Sequence, residues 1–240
     1  MMNSKQIREA ARNALRGNWG IAVLAGLIAS LLGAGSGAGF SFNVNFSFED
    51  ADFGTEQVAH QLGQQGDQII QTMIPILIVA AIIGLVVSVV MMIIGSVVSV
   101  GYAKFNSDLV DGATPSIGTL FSYFGQLKTA FCATLLVFIR VFIGTLFFII
   151  PGFIAAYKYA MVYHVIADNP DISARDALRK SRLIMQGNKW RFFCLSLSFI
   201  GWNLLSLLTL GLASLWVYPY MMAAQAVFYE EVNIPDAYTW

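Results

Sequence analysis

The sequence predicts an all-α membrane protein: six transmembrane helices arranged as three hairpins, each preceded by a cytoplasmic interfacial amphipathic helix, with a short extracellular β-strand in the first loop. Three observations predict it. The chain is 57% hydrophobic and only 12% charged, with a mean hydropathy of +0.67, whereas a soluble domain carries about 25% charged residues. Its lysines and arginines are segregated: twelve of fourteen fall in three stretches, Lys5 to Arg16, then Lys104 and Lys128, then Arg175 to Arg191. A short unit also recurs, in which a basic amphipathic helix, a glycine and an apolar run follow one another.

Taken in order, residues 19–39 form the first apolar run and residues 73–103 the second, neither holding a charge; the second is longer than a bilayer needs and must tilt, bend or protrude. Residues 129–150 form a third run, interrupted by Arg140, and Pro151-Gly152 makes a turn before the short fourth run of residues 153–167. The last two runs, 192–210 and 212–229, part near Gly211, so that the last four runs form two tight hairpins. The whole, residues 1–240, is one polytopic domain with repeat units of about 1–105, 106–168 and 169–240 and an extracellular loop at 40–72. That loop has no Lys or Arg but holds Glu49, Asp50, Asp52, Glu56 and Asp67, so six spans place the three basic stretches and both termini in the cytoplasm. The basic start, the modest apolar run and the small residues Gly33 to Gly39 also have the layout of a cleavable signal peptide. The same small residues suit close helix packing, and an uncleaved span is the favoured reading.

Three helices should precede the hairpins. In the first, Lys5, Arg8, Arg12 and Arg16 share a stripe beside a face of Ile7, Ala11, Ala14 and Leu15. Such a helix should lie in the headgroup layer with its basic edge toward anionic lipid. The second should start at Thr114-Pro115, present Ile117, Leu120, Phe121 and Phe124, and end at Gly125. The third should start at Ser173 with a capping-box-like Asp176, share a face of Ala174, Ala177, Leu178, Ser181, Ile184 and Met185, and carry Arg175, Arg179 and Arg182 beside it. The clearest repeat strings are Ala11-Arg12-Asn13-Ala14-Leu15-Arg16 before Gly17-Asn18, and Ala174-Arg175-Asp176-Ala177-Leu178-Arg179 before Gly187-Asn188. Like-oriented repeats predict pseudo-threefold packing about the membrane normal. In the outer loop, Phe40, Phe42, Val44, Phe46 and Phe48 alternate with Ser and Asn, the period of a strand, and a Gln-rich stretch from 56 to 71 should return the chain as a helix.

Several of these segments carry a family resemblance. Ile166-Ala167-Asp168-Asn169-Pro170, the pattern Ala177-Leu178, Ser181, Ile184-Met185, Gly187-Asn188-Lys189, then Phe199-Ile200-Gly201-Trp202, Trp216-Val217, Pro219-Tyr220 and Phe228-Tyr229 resemble the bacterial "domain of unknown function 975" membrane family, as does the opening from Arg8 to Trp19. The resemblance is weakest across residues 40–72. It implies a multi-pass protein of the bacterial plasma membrane and carries over no catalytic residue.

Arg140 is the costliest residue in the spans, because a charge near mid-bilayer costs a few kcal/mol and no carboxylate lies at comparable depth. Backbone carbonyls, Asn203, a lipid phosphate or cavity water are its candidate partners; the alternative is a snorkelling arginine. With Lys158, His164 and Asn203 it makes a candidate intramembrane polar site. An isolated histidine in a span is more often a hydrogen-bonded core residue than a proton relay. Asp168-Asn169-Pro170-Asp171 has the composition of a turn rather than a cation site, and Pro219 should kink the last span. Cys132 and Cys194 sit in apolar runs as small hydrophobes. There is no Walker loop, dinucleotide fingerprint, HExxH or GxSxG in the sequence, His60 and His164 lack metal spacing, and the basic residues are dispersed, which disfavours nucleic acid.

These features predict a non-enzymatic membrane protein with no cofactor, a scaffold, assembly or envelope-maintenance component. Its headgroup contacts would be Lys5, Arg8, Arg12, Arg16, Arg175, Arg179 and Arg182. The partners expected are anionic membrane lipids, with a second copy of the chain or another membrane protein beside them. The alternative is a small transporter or channel built around Arg140 and Lys158.

Overall fold

The computed structural model describes residues 2–34, 56–147 and 149–233, and all regular structure among them is helical. In chain order the α-helices are α1 (Ser4–Leu15), α2 (Trp19–Leu31), α3 (Glu56–Val110), α4 (Leu127–Phe147), α5 (Ile149–Lys158), α6 (Val162–Asp168), α7 (Ala174–Ile184), α8 (Lys189–Leu197), α9 (Ile200–Leu208) and α10 (Ser214–Val232). The expected strand at 40–48 lies outside the described residues.

The chain divides into two compact units, residues 1–40 with 92–240, and residues 41–91. The described part of the second unit is the N-terminal part of α3, which starts at Glu56 as the Gln-rich pattern predicts and exposes apolar side chains such as Ile78, Ile82 and Leu85. The first unit holds the core, and every site below lies within it.

Among the described residues, three helical stretches are long and apolar enough to cross a membrane: Ile74–Val110, Ile117–Leu146 and Lys189–Leu208. α1 and α2 together would make a fourth, but they meet at 103°. Three of the six expected spans are thus clear among the described residues, and the others fall short of that length or apolarity for local reasons. At 1.5 Å per residue, the 13 residues of α2 reach roughly 20 Å against a hydrocarbon core of ~30 Å. The fourth run is split at Tyr159 to Met161 into α5 and α6, and the last helix ends in Glu230 and Glu231.

Pro151-Gly152 does not form the expected turn: α4 ends at Phe147, and both residues lie within α5, which begins at Ile149. Pro151 instead occupies the first turn of α5, where its missing N–H leaves no intrahelical bond unmade. Gly152 serves packing: a Cβ there would stand 2.1 Å from Thr145 Oγ1, and one on Gly144 would stand 3.1 Å from Gly152 Cα. Small residues bring these two helix backbones together, as in membrane helix pairs. α9 and α10 do part near Gly211, which has φ +90°, beside Leu210 at φ +51°.

The expected second amphipathic helix is not an α-helix. Residues Ile117–Phe121 and Phe124–Gln126 form two 3₁₀ turns, and the chain enters α4 directly after Gly125-Gln126. The segment is short, includes Gly118, and is pressed onto α3: a Cβ on Gly101 would stand 2.3 Å from Leu120 O. Short 3₁₀ pieces suit such connectors. Leu120 is buried there, while Phe121 and Phe124 stay exposed and stack on each other at 6.1 Å.

The first and third copies of the repeat do correspond, but seven residues away from the string match. Gly17 and Gly187 end α1 and α7 at φ +83° and +82°, and Asn18 and Asn188 each stand at the N-cap of the next helix. With these turns superposed in sequence, buried Ile7, Ala11 and Leu15 match buried Ala177, Ser181 and Met185. Seven residues is close to two helical turns, so either register selects nearly the same face.

Candidate functional site

The polar features of the core start with α3. Ser99, Tyr102, Ala103 and Asn106 follow at i, i+3, i+4 and i+7 and so share one face. On α10, Tyr218, Met222 and Gln225 do the same. Ala160, Tyr163 and His164 come from the break between α5 and α6 and the first turn of α6, and Ala34 follows α2. Together these residues line a cavity offering about 40 Å³ to the centre of a water molecule, with no charged side chain in its wall.

Some of its polar groups are satisfied within the protein. Ser99 Oγ donates to Gly95 O at 2.7 Å, Asn106 Nδ2 to Tyr102 O at 2.7 Å, and Tyr218 O–H to Ala34 O at 3.1 Å. Tyr163 and Thr134 hydroxyls meet at 3.1 Å. Four buried atoms have no protein partner: Tyr102 Oη, Asn106 Oδ1 and both ring nitrogens of His164. Their residues are 3%, 1% and 5% exposed. Ring packing fixes them in place, with Tyr102 stacked on Tyr218 at 5.6 Å and 11°, and His164 on Tyr229 at 5.1 Å. α2 closes one side because Gly26 has no Cβ, which would otherwise stand 3.0 Å from Tyr102 Oη.

The four residues expected to form one polar site are distributed. His164 lines the cavity; Arg140, Lys158 and Asn203 do not. Arg140 is exposed on α4 among exposed Phe138, Ile139, Phe142 and Ile143, with its guanidinium 5.4 Å from the Tyr159 ring centre, a cation–π contact. Lys158 is half-buried, and its carbonyl accepts from Ser181 Oγ at 3.2 Å, joining α5 to α7. Asn203 on α9 has a buried Oδ1 without a partner. Sequence reasoning missed Tyr102, Asn106 and Gln225, although an amide on the inward face of an apolar helix was the available signal.

The basic helices are anchored differently from expectation. The apolar faces of α1 and α7 are covered by protein: Ile7, Ala11 and Leu15, and Ala177, Leu178 and Ile184, are all 2% exposed or less. Lys5, Arg12, Arg16, Arg175, Arg179 and Arg182 remain exposed. Arg8 turns inward, its Nη1 donating to Ser198 O at 3.1 Å, and Tyr220 O–H donates to Arg8 O at 3.0 Å. The start of α7 is capped as predicted, with Asp176 N–H donating to Ser173 Oγ at 3.2 Å and the Ser173 hydroxyl to Asp176 Oδ2 at 2.7 Å.

Two polar clasps tie these elements to the end of α10. Arg191 Nη2 reaches Glu231 Oε1 and Oε2 at 2.8 and 2.9 Å and Met2 O at 2.9 Å, while Met2 N–H donates to Glu231 Oε1. Tyr229 O–H donates to Asp168 Oδ2 at 2.6 Å. Asp168 thus serves as a helix-end acceptor, and Asn169-Pro170 forms the turn after it, closed by Ile172 N–H to Asn169 O at 3.1 Å. Next to this clasp, partial burial, with Asp111 and Asp168 near, pushes the Glu230 carboxyl up to about 7.

The family model described as "Protein of unknown function (DUF975)" matches residues 64–234. No curated protein and no solved structure matches significantly.

Proposed function

The chain belongs to the DUF975 family of unknown function, and from that premise we propose that it is a non-enzymatic scaffold or assembly component of the bacterial plasma membrane that engages anionic lipid through its basic helices. Its long apolar helices support the membrane reading. One observation carries the reading. The apolar faces of α1 and α7 are used up against the protein, and exposed lysines and arginines are left on their outer sides. A helix that inserts by itself needs its apolar face for the lipid. A helix whose apolar face is already packed holds its cations on a fixed support. Each exposed cation near an anionic surface contributes about 1 kcal/mol. Charge bias supports a cytoplasmic position for both helices and both termini.

The transporter reading rests on Arg140 and Lys158, and these residues lie apart from the cavity wall. Arg140 stands on an apolar exposed surface over Tyr159, a position suited to a lipid phosphate or a neighbouring membrane protein. The test is lipid retention: protein exchanged into vesicles of equimolar zwitterionic and anionic lipid is extracted gently and its bound lipid measured. Several-fold enrichment of the anionic lipid supports the proposal, and equal retention of the two contradicts it.

A further inference from the structure

We propose that the cavity between α3, α6 and α10 is a binding site for a small uncharged molecule bearing both hydrogen-bond donors and acceptors, held by His164, Tyr102 and Asn106. Three features carry this. First, the side chains that bear the unpartnered atoms are more than nine-tenths buried, and all three line the cavity. A buried polar group without a partner costs about 1–3 kcal/mol, so four together in one wall imply a guest that satisfies them. Second, the space fits. About 40 Å³ open to a water centre accommodates roughly three waters, at ~10–15 Å³ each, or one compact organic molecule of similar size. Third, the wall sets the chemistry. It has no carboxylate, lysine or arginine, so an ion would enter without a counter-charge. A neutral imidazole offers one donor and one acceptor, Tyr102 O–H offers either, and Asn106 Oδ1 accepts because its Nδ2 is already committed to Tyr102 O. The complementary guest is water, an amide or a small alcohol.

The two histidines of the chain make the site directly observable. Full-length protein with isotope-labelled histidine shows two imidazoles by NMR, and His60→Gln leaves His164 alone. With a guest present, both His164 nitrogens resonate as hydrogen-bonded, and magnetisation passes to them from water. Ala103→Leu, which fills the cavity, abolishes that transfer; should it fail to fold, Tyr102→Phe and Asn106→Leu each weaken it. Titration with formamide separates the sources. A saturable His164 shift means that an amide displaces the resident water, and transfer without a shift means water alone; both support the site. Unbonded ring nitrogens with no transfer from water overturn the proposal. So does a saturable response to ammonium or chloride without one to formamide, because the guest would then be charged.

Discussion

α1 and α7 leave through the same turn and carry similar basic edges, yet they are fastened by different means. α1 is held by long-range polar bonds: Arg8 to Ser198 O, Tyr220 to Arg8 O, and the Met2–Arg191–Glu231 clasp. Both starts are capped, α1 by Asn3 N–H donating to Gln6 Oε1 at 2.8 Å and α7 by Ser173 with Asp176; α7 otherwise relies on buried Leu178 at the position matching Arg8 and a hydroxyl bond from Ser181 to Lys158 O. The difference teaches that two amphipathic faces packed to the same degree can differ in whether a long-range polar latch is added, as it is on α1. Both copies are sensitive to loss of volume, and α1 is sensitive to single polar substitutions in its latch as well.

The largest test of that contrast is in the core. Leu15→Ala and Met185→Ala, at matching positions, should each cost about 2–5 kcal/mol in thermal or denaturant unfolding. A loss at only one of them would break the correspondence of the copies. Next is the latch. Glu231→Gln should cost about 2–3 kcal/mol, somewhat below the ~3–5 kcal/mol for a fully buried pair, because Arg191 and Glu231 side chains are 23% and 13% exposed. Hydrogen exchange should then rise in α1 and not in α7; equal protection in both would show that the clasp holds nothing. Smaller again, Gly17→Ala and Gly187→Ala should cost about 1–2 kcal/mol each, and equally, since both sit in the left-handed region at φ +83° and +82°.

The smallest effect is in pH. The Glu230 carboxyl is raised from 4.5 to about 7 in the folded protein, so the folded state holds that proton more tightly. Stability present below pH 4.5 should decline as pH rises toward 7, by less than about 1 kcal/mol after solvent screening. Glu230→Gln should flatten that part of the unfolding profile, and an unchanged profile would remove Glu230 as its source.

The contrast also shows what the sequence could disclose. Ser173 with Asp176 is a local signal, and the cap forms as expected. The face of Ala174, Ala177, Leu178, Ser181, Ile184 and Met185 was legible from helical period alone, and all of it is buried except Ala174, which is half-buried. What covers that face was not legible, because periodicity is the same whether lipid or protein lies opposite. Arg8 was assigned to the basic stripe by angle, but its carbonyl and guanidinium meet partners about two hundred residues away, beyond any local pattern. The cavity was hidden for a related reason. Asn106 and Gln225 bring no charge into their apolar runs, and their significance depends on which helices face each other.

The central claim is that α1 and α7 present a fixed cationic surface to anionic lipid. It is tested most directly by replacing Lys5, Arg12, Arg16, Arg175, Arg179 and Arg182 with Gln and measuring thermal stability in nanodiscs of zwitterionic or anionic lipid, at low and high salt. The account predicts that anionic lipid stabilises the natural protein, that high salt weakens this, and that the substituted protein is folded but indifferent to lipid charge. Equal stabilisation of both proteins by anionic lipid would contradict it.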